Sequence, residues 1–212
     1  MDVGLTVAVL GVILASMILH ELAHGVVAYL LGDTTAKDEG RLSLNPLKHL
    51  DPIISVIVPL LMFLAGGPVF GGAKPVPVDN RKLKWGAFGM AIVAIAGPLT
   101  NFLIALISFV VFYHSGLLAN NNFIGVLAAN VVSINLGFFV FNILPIPPLD
   151  GSRLLYAIAP DGVRDVMEKM EKSLGIWLVF GLILIFSSVL TRLMSVMITG
   201  IVQFFLILVG AA

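Results

Sequence analysis

Cysteine is absent from this chain and charge is scarce. Without Cys there can be no disulfide and no thiolate metal ligand, so any transition metal must be held by His, Asp or Glu. Only 11% of the 212 residues are charged, against about 25% in an ordinary soluble domain. So few charges cannot clothe a water-facing surface of this size, which excludes a soluble globular class. The net charge is zero and no run of Lys or Arg offers a surface to nucleic acid. The N-terminal MDVGLTVAVLG has no positive n-region and no small-residue cleavage site, so it reads as the first membrane helix and not as a signal peptide. No internal repeat and no low-complexity tract is visible.

Apolar residues fill the space that charge leaves. They make up 59% of the chain, and the mean hydropathy is +1.08. Runs near the roughly 20 residues that span a bilayer occur at Val3–Leu31, Ala87–Tyr113 and Phe123–Leu144. A last stretch, Ile176–Val209, is interrupted at Thr191-Arg192, which reads as two helices with a tight turn. The run Pro52–Ala65 is short and holds two prolines, which suits a re-entrant element. In the Gly/Pro-rich segment after it, Lys74-Pro75-Val76-Pro77-Val78 reads as extended backbone. The expected fold is therefore all-α: a polytopic transmembrane helix bundle with a re-entrant or extended Gly/Pro-rich segment between the first two full spans. It forms a single domain over 1–212, with a core at about 3–160 and C-terminal helices at about 176–209.

The basic residues orient this bundle. If Val3–Leu31 enters from outside and Pro52–Ala65 is re-entrant, the basic loops at Lys37–Lys48, Lys74–Lys84 and Arg153–Lys172 all face the cytoplasm. The tip His114–Asn122 has no Lys or Arg and falls outside, and only Arg192 violates the pattern.

Chemistry concentrates where the first apolar run is broken. His20-Glu21-Leu22-Ala23-His24 fits H-E-x-x-H. Residues four apart share a helix face, so both imidazoles can bind one zinc ion while Glu21 projects beside them. One intramembrane His could merely hydrogen-bond a carbonyl, and one Glu could belong to an ion path. Three such residues at metal spacing, after an uncharged run from Val3 to Leu19, point to a site. A catalytic zinc takes three protein ligands, so a third must come from elsewhere. His49, beside Lys48 and Asp51, reads as solvated, and His114 lies at the opposite face. Asp150, after the helix-breaking Pro145, Pro147 and Pro148, fits better. It could equally N-cap a helix over Gly151–Ala159.

These residues carry a resemblance. H-E-L-A-H in the first span, Ala96-Gly97-Pro98-Leu99-Thr100-Asn101 and Asn142-Ile-Leu-Pro-Ile-Pro-Pro-Leu-Asp150-Gly151 resemble, in order, three motifs of the site-2 protease family of intramembrane metalloproteases. The resemblance implies one zinc per chain on His20, His24 and Asp150, with Glu21 as general base. It places Asn142 near the substrate or oxyanion and Asn101 close to the site, although an Asn such as Asn101 also serves as an interhelical hydrogen-bonding group. It implies hydrolysis of a peptide bond in the transmembrane segment of another protein, at a zinc site toward the cytosolic side. A minimal member without PDZ-like or nucleotide-sensing domains suggests a bacterial or archaeal plasma membrane. The expected partners are transmembrane substrates and the lipid bilayer, and no nucleic acid. The extended edge Lys74–Val78 could pair with an unwound substrate strand. Two other readings are an ion-conducting transporter or channel, with the same residues as its path, and a catalytically silent membrane scaffold. Against the transporter, no paired broken helices are visible.

Overall fold

A computed structural model describes residues 2–51, 57 and 74–211, with residues 176, 178–180 and 182–184 at backbone level. Among these residues there are helices and no strands. Helix α1 is Val3–Leu30 and a single short turn, α2, is Thr35–Asp38. Helices α3 (Ala87–His114) and α4 (Phe123–Asn142) form an antiparallel pair. Two shorter helices, α5 (Asp150–Ile158) and α6 (Asp161–Leu174), lead into the long α7, Ile176–Leu208.

Four of these are long and apolar enough to cross a bilayer: Val3–Leu30, Ala87–His114, Phe123–Asn142 and the Ile185–Leu208 part of α7. Their outer faces are apolar side chains left bare, among them Val7, Leu10, Ile107 and Val196, each more than half exposed. In water such a surface would be a severe aggregation liability, and in lipid it is the normal solvent face. The chain is a multi-pass, all-α membrane protein.

Helix α3 sits at the centre, against α1, α4 and α5. Its lower half joins Ala105 and Phe109 to Val132 and Leu136 of α4 and Phe205 of α7, all nearly solvent-free. Its first turns, through Val93, pack on Ala28 of α1 and on Leu83. The start of α1 is fixed by Asp2, whose Oδ1 accepts the Gly4 N–H at 2.9 Å. Its end is set by Gly32, at φ 104°, a conformation costly for any residue with a Cβ.

Three expectations change. The interruption at Thr191-Arg192 is not a turn, because α7 runs through it and departs from helical geometry at Phe186 instead (φ −112°, ψ 22°). A helix satisfies its backbone internally, so polar side chains alone do not end it. Asp150 is the first residue of α5 and caps nothing, since the N-cap is Leu149. His49 is not solvated: it is 1% exposed, with Nε2 2.6 Å from the Ser43 carbonyl. The expected re-entrant stretch, 52–65, lies outside the described residues apart from Ile57. Residues 74–79 form neither helix nor strand.

Candidate metal centre

Residues far apart in sequence meet between α1, α3 and the start of α5. His20 and His24 lie one turn apart on the inward face of α1, each 8% exposed. Their Nε2 atoms are 3.0 Å apart. Asp150 Oδ2 lies 3.1 Å from His20 Nε2 and 3.4 Å from His24 Nε2.

The hydrogen bonds behind the rings decide what these three atoms are. His24 Nδ1 is 2.8 Å from the Val93 carbonyl, which can only accept. His24 Nδ1 therefore carries the proton, and its Nε2 holds a lone pair. His20 Nδ1 is 2.6 Å from Asn101 Oδ1. The Asn101 orientation is itself fixed, because its Nδ2 donates to Asn135 Oδ1 at 2.9 Å and, at 3.4 Å, to the Ser16 carbonyl. Asn135 is anchored in turn by donating from Nδ2 to the Val131 carbonyl at 2.9 Å. A carbonyl of α4 thus dictates, through two asparagines, the tautomer of an imidazole on α1. Asn101 and Asn135 are fully buried.

Two imidazole lone pairs and a carboxylate oxygen therefore converge, and such a set needs a cation. Zinc–nitrogen and zinc–oxygen bonds of about 2.0–2.1 Å in a tetrahedral shell put neighbouring ligand atoms about 3.3 Å apart. The observed separations of 3.0, 3.1 and 3.4 Å match that shell. His20, His24 and Asp150 could hold a metal ion, and the carbonyl oxygens of Val93 and Asn101 behind the rings match the partners that metal-bound imidazoles normally have.

The backbone around the centre explains its glycines. A Cβ on Gly97 would lie 2.4 Å from His24 Nε2 and 2.6 Å from His20 Nε2, so α3 can approach the rings only without a side chain there. Pro98, next in α3, gives no N–H to the Ala94 carbonyl, and the Val93 carbonyl in the same turn serves His24. A Cβ on Gly151 would lie 2.1 Å from the Ile143 carbonyl oxygen. Glycine there lets α5 fold back against the end of α4, which carries Asp150 to the histidines.

Glu21 is held from outside the bundle. Its Oε2 accepts the Val76 N–H at 2.9 Å. Val76 stands between Pro75 and Pro77, so this is the sole backbone donor of that triplet. The same segment is clamped by Arg41, whose Nη2 donates to the Lys74 and Pro75 carbonyls at 2.9 and 3.2 Å. At its far end the Asp79 N–H donates to Asp33 Oδ2 at 2.7 Å.

The remaining candidates make other contacts. The Asn142 amide donates to the Phe138 carbonyl of its own helix at 3.0 Å. His114 ends α3 on an exposed face, its ring against Tyr113. His49 supports the loop before the extended segment, accepting the Lys74 N–H through its carbonyl at 2.8 Å. Sequence reasoning passed over Asn135 and Gly97 as site residues. An Asn seven residues before Asn142 on one helix face was the available signal.

A membrane-embedded helix bundle with a buried His-His-Asp centre and a Glu beside it defines a membrane metalloprotein of hydrolytic type, and the comparisons agree. The chain is 41% identical over 165 residues to "Putative zinc metalloprotease YwhC" of Bacillus subtilis, covering 75% of this chain and 72% of that protein. It is 33% identical over 155 residues to "Putative zinc metalloprotease Rip2" of Mycolicibacterium smegmatis and 30% identical over 154 residues to its namesake in Mycobacterium tuberculosis. In both, the match covers 70% of this chain and 56% of the Rip2 protein. No protein-family model and no solved structure matches. The chain belongs to the zinc metalloprotease family of YwhC, and its cofactor is zinc.

Proposed function

We propose that this protein is an intramembrane endopeptidase of the site-2 protease type, cleaving a peptide bond within or near the transmembrane segment of another membrane protein. The observation that carries the reading is the convergence of His20 Nε2, His24 Nε2 and Asp150 Oδ2 within 3.4 Å of one another, beside Glu21 and inside a bundle with four apolar spans.

Zinc, when held by those three residues, supplies Lewis acidity that polarises a peptide carbonyl and acidifies water. Glu21 takes a proton from the attacking water and returns it to the leaving amine. The Val76 N–H holds Oε2, which fixes the carboxylate plane and leaves Oε1 to receive the proton. Asn101 and the Val93 carbonyl keep the two rings in the tautomer that presents Nε2. The extended segment has little free edge for pairing with a substrate strand. Its Val76 N–H and the carbonyls of Lys74 and Pro75 are already engaged, so its support of Glu21 is the better-founded role.

The test is zinc content and cleavage on the same detergent-purified preparations. Wild type should carry about one zinc per chain and cleave a reconstituted single-span substrate. Asp150→Ala should lose most of the metal. Glu21→Gln should keep the metal and lose cleavage by at least about 100-fold, the scale of a lost general base. A metal-free, well-folded wild type would return the site to an ion path or a scaffold. Cleavage surviving in Glu21→Gln would remove Glu21 as the base.

A further inference from the structure

The last span carries a feature that the metal centre does not use. Arg192 is the middle residue of the 33-residue α7, Ile176–Leu208. At about 1.5 Å rise per residue it stands about 24 Å from the C-terminal end of the helix. Within the membrane-length part, Ile185–Leu208, it is about 10 Å from the nearer end. In a hydrocarbon layer about 30 Å thick, this puts the Arg192 backbone inside the hydrocarbon, with its long side chain reaching from there toward the interface.

Arg192 does not face the bundle. It is exposed, as are Ser188, Ser195, Thr199 and Gln203. Their spacing of four, three, four and four residues puts all five on one side of the helix. The side packed on α3 and α4 is different: it carries Ile198, Ile201 and Phe205. Along this span five of the seven charged or hydrogen-bonding side chains, all but Ser187 and Thr191, therefore share one side, which turns away from α3 and α4.

No acidic group among the described residues answers that charge. Among the described residues Arg192 makes no ion pair, and residues 52–73 contain no Asp or Glu. Ionisable residues in membrane spans normally face protein and pair there. An unpaired arginine on a lipid face, flanked by hydroxyls, is half of an interface.

We infer that this face of α7 docks a transmembrane helix of another protein that carries an Asp or Glu at the depth of Arg192. Charge complementarity selects the occupant. A second copy of this chain would bring Arg192 to the contact and no acid at that depth. A carboxylate would instead form a charge-assisted, two-point pair with the guanidinium. Ser188, Ser195 and Thr199 are small enough for close helix approach and add interhelical hydrogen bonds. This inference is independent of the protease reading: it concerns the face of a span that shares no residue with the metal centre.

The test uses the full chain, with a fluorescent donor on an introduced cysteine at Ala211, reconstituted in phosphatidylcholine vesicles. Acceptor-labelled Leu/Ala single-span peptides bear Asp, or Leu as control, at their midpoint. Energy transfer should half-saturate at a peptide density at least about ten-fold lower for the Asp peptide than for its Leu twin. Arg192→Leu should erase that preference and Arg192→Lys should retain most of it. Ser195→Phe should weaken Asp-peptide binding while leaving the charge in place. Equal association of the Asp and Leu peptides would overturn the inference, as would a preference that survives Arg192→Leu. Transfer between two differently labelled pools of the chain that is lost in Arg192→Leu would assign the face to a second copy and likewise overturn it.

Discussion

At the scale of single residues, the centre depends on which way two buried amides point. If Asn101 flipped, its NH2 would oppose the Nδ1 of His20. The ring would then keep its proton on Nε2 and offer no lone pair to the metal. Asn135 opposes that flip, because its Oδ1 takes the Asn101 Nδ2 at 2.9 Å. Asn135→Leu removes the acceptor and leaves the Asn101 Nδ2 with only the 3.4 Å contact to the Ser16 carbonyl. We expect zinc affinity, measured by competition with a chelator, to fall about 10–100-fold, the usual effect of losing an outer-shell partner. Stability should fall by about 1–3 kcal/mol for an unsatisfied buried amide. Asn130→Leu is the control. Asn130 lies on the same helix and its Nδ2 donates only within it, to Val126, so zinc affinity should not move. Unchanged zinc affinity in Asn135→Leu would show that Asn101 holds its orientation unaided. The metal ligands themselves were legible in the sequence, because H-E-x-x-H is a local pattern and Asp150 follows a visible helix break. Asn135 was not, because its role exists only through contacts on two other helices. Three asparagines occur along α4, and only the seven-residue spacing of Asn135 from Asn142 sets it apart from Asn130.

At the scale of elements, hydropathy alone located the first three spans and the apolar stretch that holds the fourth, since lipid imposes both length and composition on a crossing helix. It misplaced the break in α7. Thr191 and Arg192 interrupt the apolar run without interrupting the backbone, and the deviation falls at Phe186, which no composition marks. That Lys74–Val78 lies outside the helices was foreseen from its prolines. Its attachments were not, because Glu21, Arg41 and Asp33 reach it across long loops. Asp33 is the attachment whose strength depends on pH. It is fully buried. Burial raises its pKa, and this is outweighed by the Thr35 hydroxyl and N–H, the Asp79 N–H and the nearby Lys82, so the carboxyl is held below its ordinary value. A pKa lower in the folded state than in the unfolded chain means the stabilisation is complete above the unfolded value of about 3.9. It is lost as pH falls through the folded value. The melting temperature of wild type should therefore exceed that of Asp33→Asn at pH 7, and the gap should close below about pH 4. A gap that stays constant from pH 7 to pH 3 would mean that shape, and not charge, anchors Asp79.

At the scale of the whole molecule, the remaining question is which side of the membrane the metal centre serves. His24 lies six residues before the end of α1 and Asp150 opens α5, after the end of α4. Both therefore sit toward the membrane face where the loops with Lys37, Arg41, Lys74 and Lys82 emerge. The opposite tip, between α3 and α4, consists of Ser115–Asn122 and contains no Lys or Arg. Basic loops are retained in the cytoplasm, so the centre should open toward the cytosol. The absence of cysteine makes this directly measurable, because every introduced thiol reports alone. Asn120 and Lys169 are exposed at the two faces, on the α3–α4 tip and on α6. In intact cells a membrane-impermeant maleimide should label Asn120→Cys at once, and Lys169→Cys only after the membrane is opened. The reverse pattern would place Glu21 and the ligand set on the outer side. The protein would then act on membrane segments from the face where substrates arrive after export.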